Sequence, residues 1–163
     1  MNVVRDETDH SSTLVGWREW VALPSAGVEW IKAKVDTGAR SSSIHAYEIR
    51  ELDIDGVAHV RFFVRPWQRS TDDVVEVVLP VHDQRAVRSS SGHSEQRYVV
   101  LLPITLCGRE VTAEFTLTNR DAMGFRMLIG REALRQGFVV DPSRSFLGGR
   151  APKHVRRANR GAP

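Results

Sequence analysis

One segment of the chain concentrates residues able to do chemistry: Ala33-Lys34-Val35-Asp36-Thr37-Gly38-Ala39-Arg40-Ser41-Ser42-Ser43. An apolar strand there delivers Asp36 into a turn of small residues, where backbone amides and a hydroxyl can surround a carboxylate. The same composition also suits an ordinary polar β-turn, because Asp, Thr and Gly all favour turns for local reasons. A second segment, Met127-Leu128-Ile129-Gly130-Arg131-Glu132-Ala133-Leu134, begins well downstream, with 92 positions separating Gly38 from Gly130. Two apolar residues, a glycine and a short helix describe a tight strand-to-helix passage in which the glycine permits close backbone approach. By itself this segment suits core packing equally well.

Other chemistries find little support. There is no GxxxxGK[ST] phosphate loop, no GxGxxG after a strand, no HExxH and no GxSxG elbow. The six histidines, His10, His45, His59, His82, His93 and His154, show no short ligand spacing, whereas a zinc site needs three or four convergent ligands. A single cysteine, Cys107, excludes an internal disulfide, a zinc ribbon and a CxxC redox site.

The elements that must position Asp36 follow from pattern. At 163 residues, 41% hydrophobic and 26% charged, the chain has the composition of a soluble globular protein and the length of one compact domain or two very small ones, enough to bury a core. The formal charge of +3 belongs to its end. Residues 148–163 carry Arg150, Lys153, Arg156, Arg157 and Arg160 with no acid, and residues 1–12 carry Arg5 against Asp6, Glu7 and Asp9. That leaves 17 basic and 17 acidic residues in 13–147, a neutral core. Both ends read as disordered extensions, 1–12 for lack of apolar residues and 148–163 as a basic tail rich in Gly, Pro and Arg. Contact with nucleic acid is expected only through that tail. The polar start is unlike a signal peptide and no apolar run reaches the roughly 18 residues of a membrane span, so a cytoplasmic protein without membrane contact is expected.

Within the core the hydrophobic period is two. Leu14 to Leu23 and Val28 to Val35 read as a hairpin in which Ile31, Ala33 and Val35 face inward while Lys32 and Lys34 face out. Ser43 to Ile54 and Val57 to Val64 flank Asp55-Gly56, a two-residue hairpin signal. Val74 to Leu79, Tyr98 to Leu106, Val111 to Leu117 and Phe138 to Val140 complete the strands. One helix is expected, Arg131 to Gln136, stopped by Gly137. Many short strands and a single short helix indicate an all-β barrel or sandwich. The polar stretch His82 to Gln96 reads as a long loop, uncommon unless functional or mobile.

Taken together and in this order, the two segments resemble those of the retropepsin-like aspartic proteases, which carry Asp-Thr-Gly-Ala after an early strand and an apolar-apolar-Gly-Arg segment before a C-terminal helix. The chain is more similar still to a bacterial family of small retropepsin-like domains known as "ATP-dependent zinc protease". The motifs shared with it are Lys32 to Ser42, Val87 to Ser90, Glu114 to Thr118 and Met127 to Arg131. The resemblance runs from about Val15 to Leu147. It implies an acid-protease fold, a closed β-barrel with one short C-terminal helix. It also implies an aspartic endopeptidase, without metal or other cofactor in this chain: any ATP dependence would come from a partner, and no zinc constellation is visible. Relatives are linked to a glutamate ligase, so an ATP-grasp ligase is an implied partner and a glutamate-rich peptide an implied substrate.

Aspartic-protease chemistry needs two carboxylates sharing one proton. This chain has one Asp-Thr-Gly, so the resemblance implies a homodimer with Asp36 paired to its symmetry mate. In that arrangement Thr37 would lock the paired loops and Gly38 would let the backbone turn under the carboxylate. The implied substrate-binding residues are Ala39 and Arg40 beside the carboxylate, and Arg88, Ser89, Ser90 and Gly92 in the polar stretch. That stretch is either a flap with Gly92 near its tip or an ordinary exposed hairpin. Arg40 stands where retroviral relatives usually have an acid. It either reads a substrate carboxylate, with Arg88 or Arg97 nearby, or pairs internally with an acid such as Glu132. The other function class left open is a catalytically silent barrel that binds acidic peptides or a partner ligase.

Overall fold

A computed structural model describes residues 11–67, 73–88, 91–119 and 124–160. Among the described residues, twelve strands and two short α-helices are arranged around one main core. Six strands close a barrel. Their order around it is β10 (Arg109–Thr118), β4 (Ser42–His45), β11 (Met127–Ile129), β3 (Val28–Val35), β2 (Arg18–Leu23) and β9 (Ser94–Leu106), with β9 pairing back onto β10. The all-β barrel expected from the sequence is therefore present. β8 (Asp83–Arg88) extends the barrel sheet outward from β9.

The remaining strands form two small sheets. β5 (Tyr47–Ile54), β6 (Val57–Val64) and β7 (Val75–Pro80) form one, and β1 (Thr13–Gly16) pairs in parallel with β12 (Phe138–Asp141) in the other. Alternation sets which side chains enter the core. Ile31 and Ala33 are fully buried and Val35 nearly so, while Lys32 and Lys34 lie on the outer face. At the β5–β6 turn Asp55 and Gly56 both have positive φ, as a two-residue hairpin requires.

Two expected strands are each broken in two. The first breaks at Trp17, whose N–H donates to Arg144 O (2.9 Å); the N–H of Gly16 donates to the buried Glu19 carboxylate (2.7 Å). Glu19 also accepts from the N–H groups of Leu147 (3.0 Å) and Gly148 (3.1 Å), tying the chain end to β2. The second breaks at buried Ala46, where the chain leaves the barrel for the three-stranded sheet.

The polar stretch expected as a loop is mostly strand. β8 pairs antiparallel with the start of β9 from Asp83 opposite Val99 to Arg88 opposite Ser94, because an edge ladder needs only backbone groups and tolerates polar side chains on both faces. The tail also differs from expectation. Besides α1 (Arg131–Leu134), a second helix, α2 (Lys153–Ala158), is present, so the described residues form two short α-helices where one was expected. Ala151 and Val155 are buried against Trp20, with Trp30, Trp67 and Phe146 beside them. Two apolar residues four apart are enough to seat the basic segment on an aromatic surface that β2 and β3 provide. Residues 1–10 of the expected N-terminal extension and 161–163 of the tail lie outside the described residues.

Candidate active site

Asp36 sits where β3 leaves the barrel. Its N–H donates to Ile129 O (2.9 Å), continuing the parallel pairing in which Val35 lies opposite Ile129. One carboxylate oxygen, Oδ1, accepts from Gly38 N–H (2.9 Å), and Ala39 N–H donates to Asp36 O (3.3 Å), which closes a turn of four residues. A Cβ on Gly38 would stand 3.1 Å from that same oxygen, so glycine leaves the carboxylate room to hold this position. Asp36 is half-buried, whereas Thr37 and Gly38 are exposed.

The second motif braces this loop. Arg131 N–H donates to Ala39 O (2.7 Å) and Glu132 N–H to Arg40 O (3.0 Å), so loop carbonyls satisfy amides of the first turn of α1 that have no partner within the helix. The Arg131 guanidinium donates to Thr37 O (3.1 Å), and Gly130 N–H donates to the buried Ser42 hydroxyl (2.9 Å). Any Cβ at Gly130 would meet Ser41 O at 2.5 Å. Two segments that each suit a bland reading in the sequence are thus one unit: β11 runs between β3 and β4 and presses its glycine against the acidic loop.

Arg40 lies beside this unit with its side chain 81% exposed, and its Nε is 3.7 Å from Glu132 Oε1. The internal pairing of Arg40 with Glu132 is present. A groove of about 520 Å³ opens here, its lining including Arg40, Ser41 and Glu132 together with Arg85, Leu101 and Glu114. Arg85 donates to Glu114 (2.8 Å) and to Asp83 (2.9 Å), and His82 Nε2 lies 3.0 Å from Glu114. The Arg85 guanidinium holds the Glu114 carboxyl below its usual range, and the Gln84 N–H with Arg85 does the same for Asp83. Both arginines of this groove therefore already face a carboxylate.

The other expected substrate residues lie on the β8–β9 hairpin. Arg88 is exposed opposite Ser94 and does not line the groove with Arg40. Arg97 faces Arg85 across the ladder and pairs with Glu95 (3.6 Å). Gly92, at φ 84°, is exposed at the turn, and Ser89 and Ser90 lie outside the described residues. Reading the sequence missed Arg85 and Glu114 as a pair. The signal available was period: Glu114 alternates with buried Ala113 and Phe115 in a strand adjoining the one that Arg85 faces. Cys107 is a half-buried thiol pushed up to about 12, chiefly by desolvation, and so is protonated at neutral pH and unsuited to act as a nucleophile. Among the described residues no three His, Cys, Asp or Glu side chains converge as metal ligands, and no helix is long and apolar enough to cross a membrane.

A closed barrel with an Asp-Thr-Gly loop braced on an Ile-Gly-Arg strand end is the architecture of a retropepsin-like domain. Residues 14–151 match the family model described as "Retropepsin-like aspartic endopeptidase RimB", and the chain belongs to this RimB-like family. The match carries this description and not the zinc-protease name that the motifs suggested. Among curated proteins the chain is 48% identical over 133 residues to a "Probable alpha-L-glutamate ligase" of Shewanella pealeana, covering 82% of this chain and 29% of that protein. It is 44% identical over 135 residues to a protein of the same name from Desulfotalea psychrophila, covering 83% and 29%. The chain thus spans less than a third of the length of these relatives. A structural-genomics crystal structure of a protein of unknown function from Legionella pneumophila superposes with a TM-score of 0.71 at 29% identity, covering 85% of this chain and 99% of that one.

Proposed function

We propose that two copies of this chain form a cytoplasmic aspartic endopeptidase, each contributing one Asp36 carboxylate, that acts on glutamate-rich peptides. The observation that carries this reading is the Asp36 loop. Its carboxylate is oriented by the Gly38 amide, its carbonyls are braced by α1, and its Thr37–Gly38 tip is exposed where a second copy can meet it. Two such carboxylates face to face share one proton, because like charges about 3 Å apart do not both ionise easily. The ionised carboxylate takes a proton from a water molecule, and that water oxygen attacks the scissile carbonyl carbon. The protonated carboxyl donates to the carbonyl oxygen as it gains negative charge. Collapse of the tetrahedral intermediate then breaks the C–N bond as the carboxyl that took the water proton passes it to the departing amine nitrogen, and a hydroxyl of the intermediate returns a proton to the other carboxylate, restoring the shared-proton pair.

The choice of a glutamate-rich substrate, and of a glutamate ligase of the ATP-grasp type as partner, draws support from the names of the relatives, in which a region similar to this chain accompanies a longer remainder. The same fact favours a second reading, a silent barrel that presents acidic peptides to a ligase. One experiment separates them. Asp36→Asn is expected to lower hydrolysis of a glutamate-rich peptide at least a thousandfold, the scale on which loss of an essential catalytic group is felt. Unchanged hydrolysis in that variant would overturn the endopeptidase, and peptide binding without hydrolysis by the wild type would establish the second reading.

A further inference from the structure

The groove beside Arg40 is balanced in charge, but a second cleft is not. Between the outer face of β2–β3 and the C-terminal segment lies a cleft of about 590 Å³ whose lining includes Arg18, Lys32, Arg150, Arg156 and Arg160 and no acidic side chain. Nε of Arg18 and of Arg156 is buried without a hydrogen-bond partner among the described residues. Lys32 Nζ donates to Asn159 O (3.2 Å), and burial together with the Arg18 charge holds its ammonium below the usual lysine range. Cations gathered here with no counter-charge among the described residues lining the cleft repel one another, and an anion in the cleft relieves that repulsion.

The aromatic rings argue for the kind of anion. The Arg18 guanidinium lies over Trp17 (4.6 Å) and over Phe146 (4.8 Å), Phe146 stacks on Trp20 (5.8 Å), and Trp20 meets Trp30 edge-on. These rings are engaged with one another and with a guanidinium, whereas binding of single-stranded nucleic acid relies on aromatic faces free to stack bases. Carboxylates need only the guanidinium edges, which they can meet with two hydrogen bonds each. Position matters too. Lys32 lies on β3 four residues before Asp36, which directly follows that strand, about 13 Å at roughly 3.3 Å per residue, a span that an extended peptide covers in about four residues of its own.

We propose that this cleft is the docking site for a carboxylate-rich segment of the peptide substrate, engaged a few residues from the bond placed at Asp36. This rests on the endopeptidase reading, so the test separates binding from cleavage. Binding of a fluorescein-labelled oligoglutamate peptide is measured by anisotropy on the full chain carrying Asp36→Asn. Adding Arg150→Glu with Arg160→Glu, both exposed and both lining the cleft, is expected to weaken binding about tenfold or more. Adding Lys153→Glu with Arg157→Glu instead makes the same charge change on the same segment outside the cleft lining, and is expected to weaken it less than about threefold. Equal loss in both backgrounds, or no loss in the first, would overturn the docking site. So would a uridine oligomer of equal charge that binds more tightly than the peptide. Binding lost as expected while the wild type cleaves nothing would uphold the cleft and count against the endopeptidase alone.

Discussion

Asp36 depends less on its immediate neighbours than on Gly130. Gly38 orients the carboxylate, but the loop behind it is held by amides of α1, and those amides reach it only because Gly130 lies against the Ser41 carbonyl. Gly130→Ala forces backbone to move, since its Cβ would stand 2.5 Å from Ser41 O. We expect the variant to lose about 1–3 kcal/mol of stability and, while still folded, to hydrolyse peptide at least tenfold more slowly, because a displacement of the order of 1 Å at a catalytic group costs up to about a hundredfold. Urea unfolding together with peptide hydrolysis under native conditions checks both parts; hydrolysis at the wild-type rate would show that the brace is irrelevant to the carboxylate. Asp36 and Gly130 are each legible in the sequence. Their contact is not, because 92 positions separate Gly38 from Gly130 and only the pairing of β11 with β3 closes that gap.

The β8–β9 hairpin shows a limit of hydrophobic pattern. Its residues are mostly polar and none is fully buried near the turn, so they carry no hydrophobic alternation, and the stretch reads as a loop although its backbone is a regular ladder. What anchors its base is the Arg85–Glu114 pair. Glu114 is held below its ordinary value of 4.5 chiefly by the Arg85 hydrogen bond. A carboxyl lowered by folding adds stability above its unfolded value and loses it as pH falls below about 4.5 toward the folded value. Because the pair is about one-third exposed, that contribution is under about 1 kcal/mol. Glu114→Gln should therefore be less stable than wild type at pH 7, and the gap should shrink as the pH is lowered through this range. Urea midpoints at a series of pH values test this, and a gap that stayed constant would place the effect of Glu114 outside its charge. The tail helix shows the opposite limit. Its composition reads as a solvated extension, yet Ala151 and Val155 find a surface made by distant tryptophans.

For the whole molecule, the proposed catalytic unit is a pair of chains, and this sets how activity responds to mixing. If each active site takes one Asp36 from each copy, then equal amounts of wild type and Asp36→Asn, allowed to exchange, leave about a quarter of the pairs fully competent. Hydrolysis per total protein is expected to fall to about a quarter of that of wild type at the same total concentration. A value of one half would mean that each chain works alone. The neutral core and charged end that composition reveals also gain a place: the basic segment folds back on β2 and β3 and forms one wall of a cation-lined cleft. By itself the sequence determined the all-β class, the inward face of β3, the Asp55-Gly56 turn and the acidic loop, because period-two alternation and turn chemistry act between near neighbours. Only the tertiary structure decided that Gly130 braces Asp36, that Arg40 and Arg85 meet carboxylates, and that the tail is seated. Each of those depends on which distant surfaces come into contact, and local pattern carries no information about that.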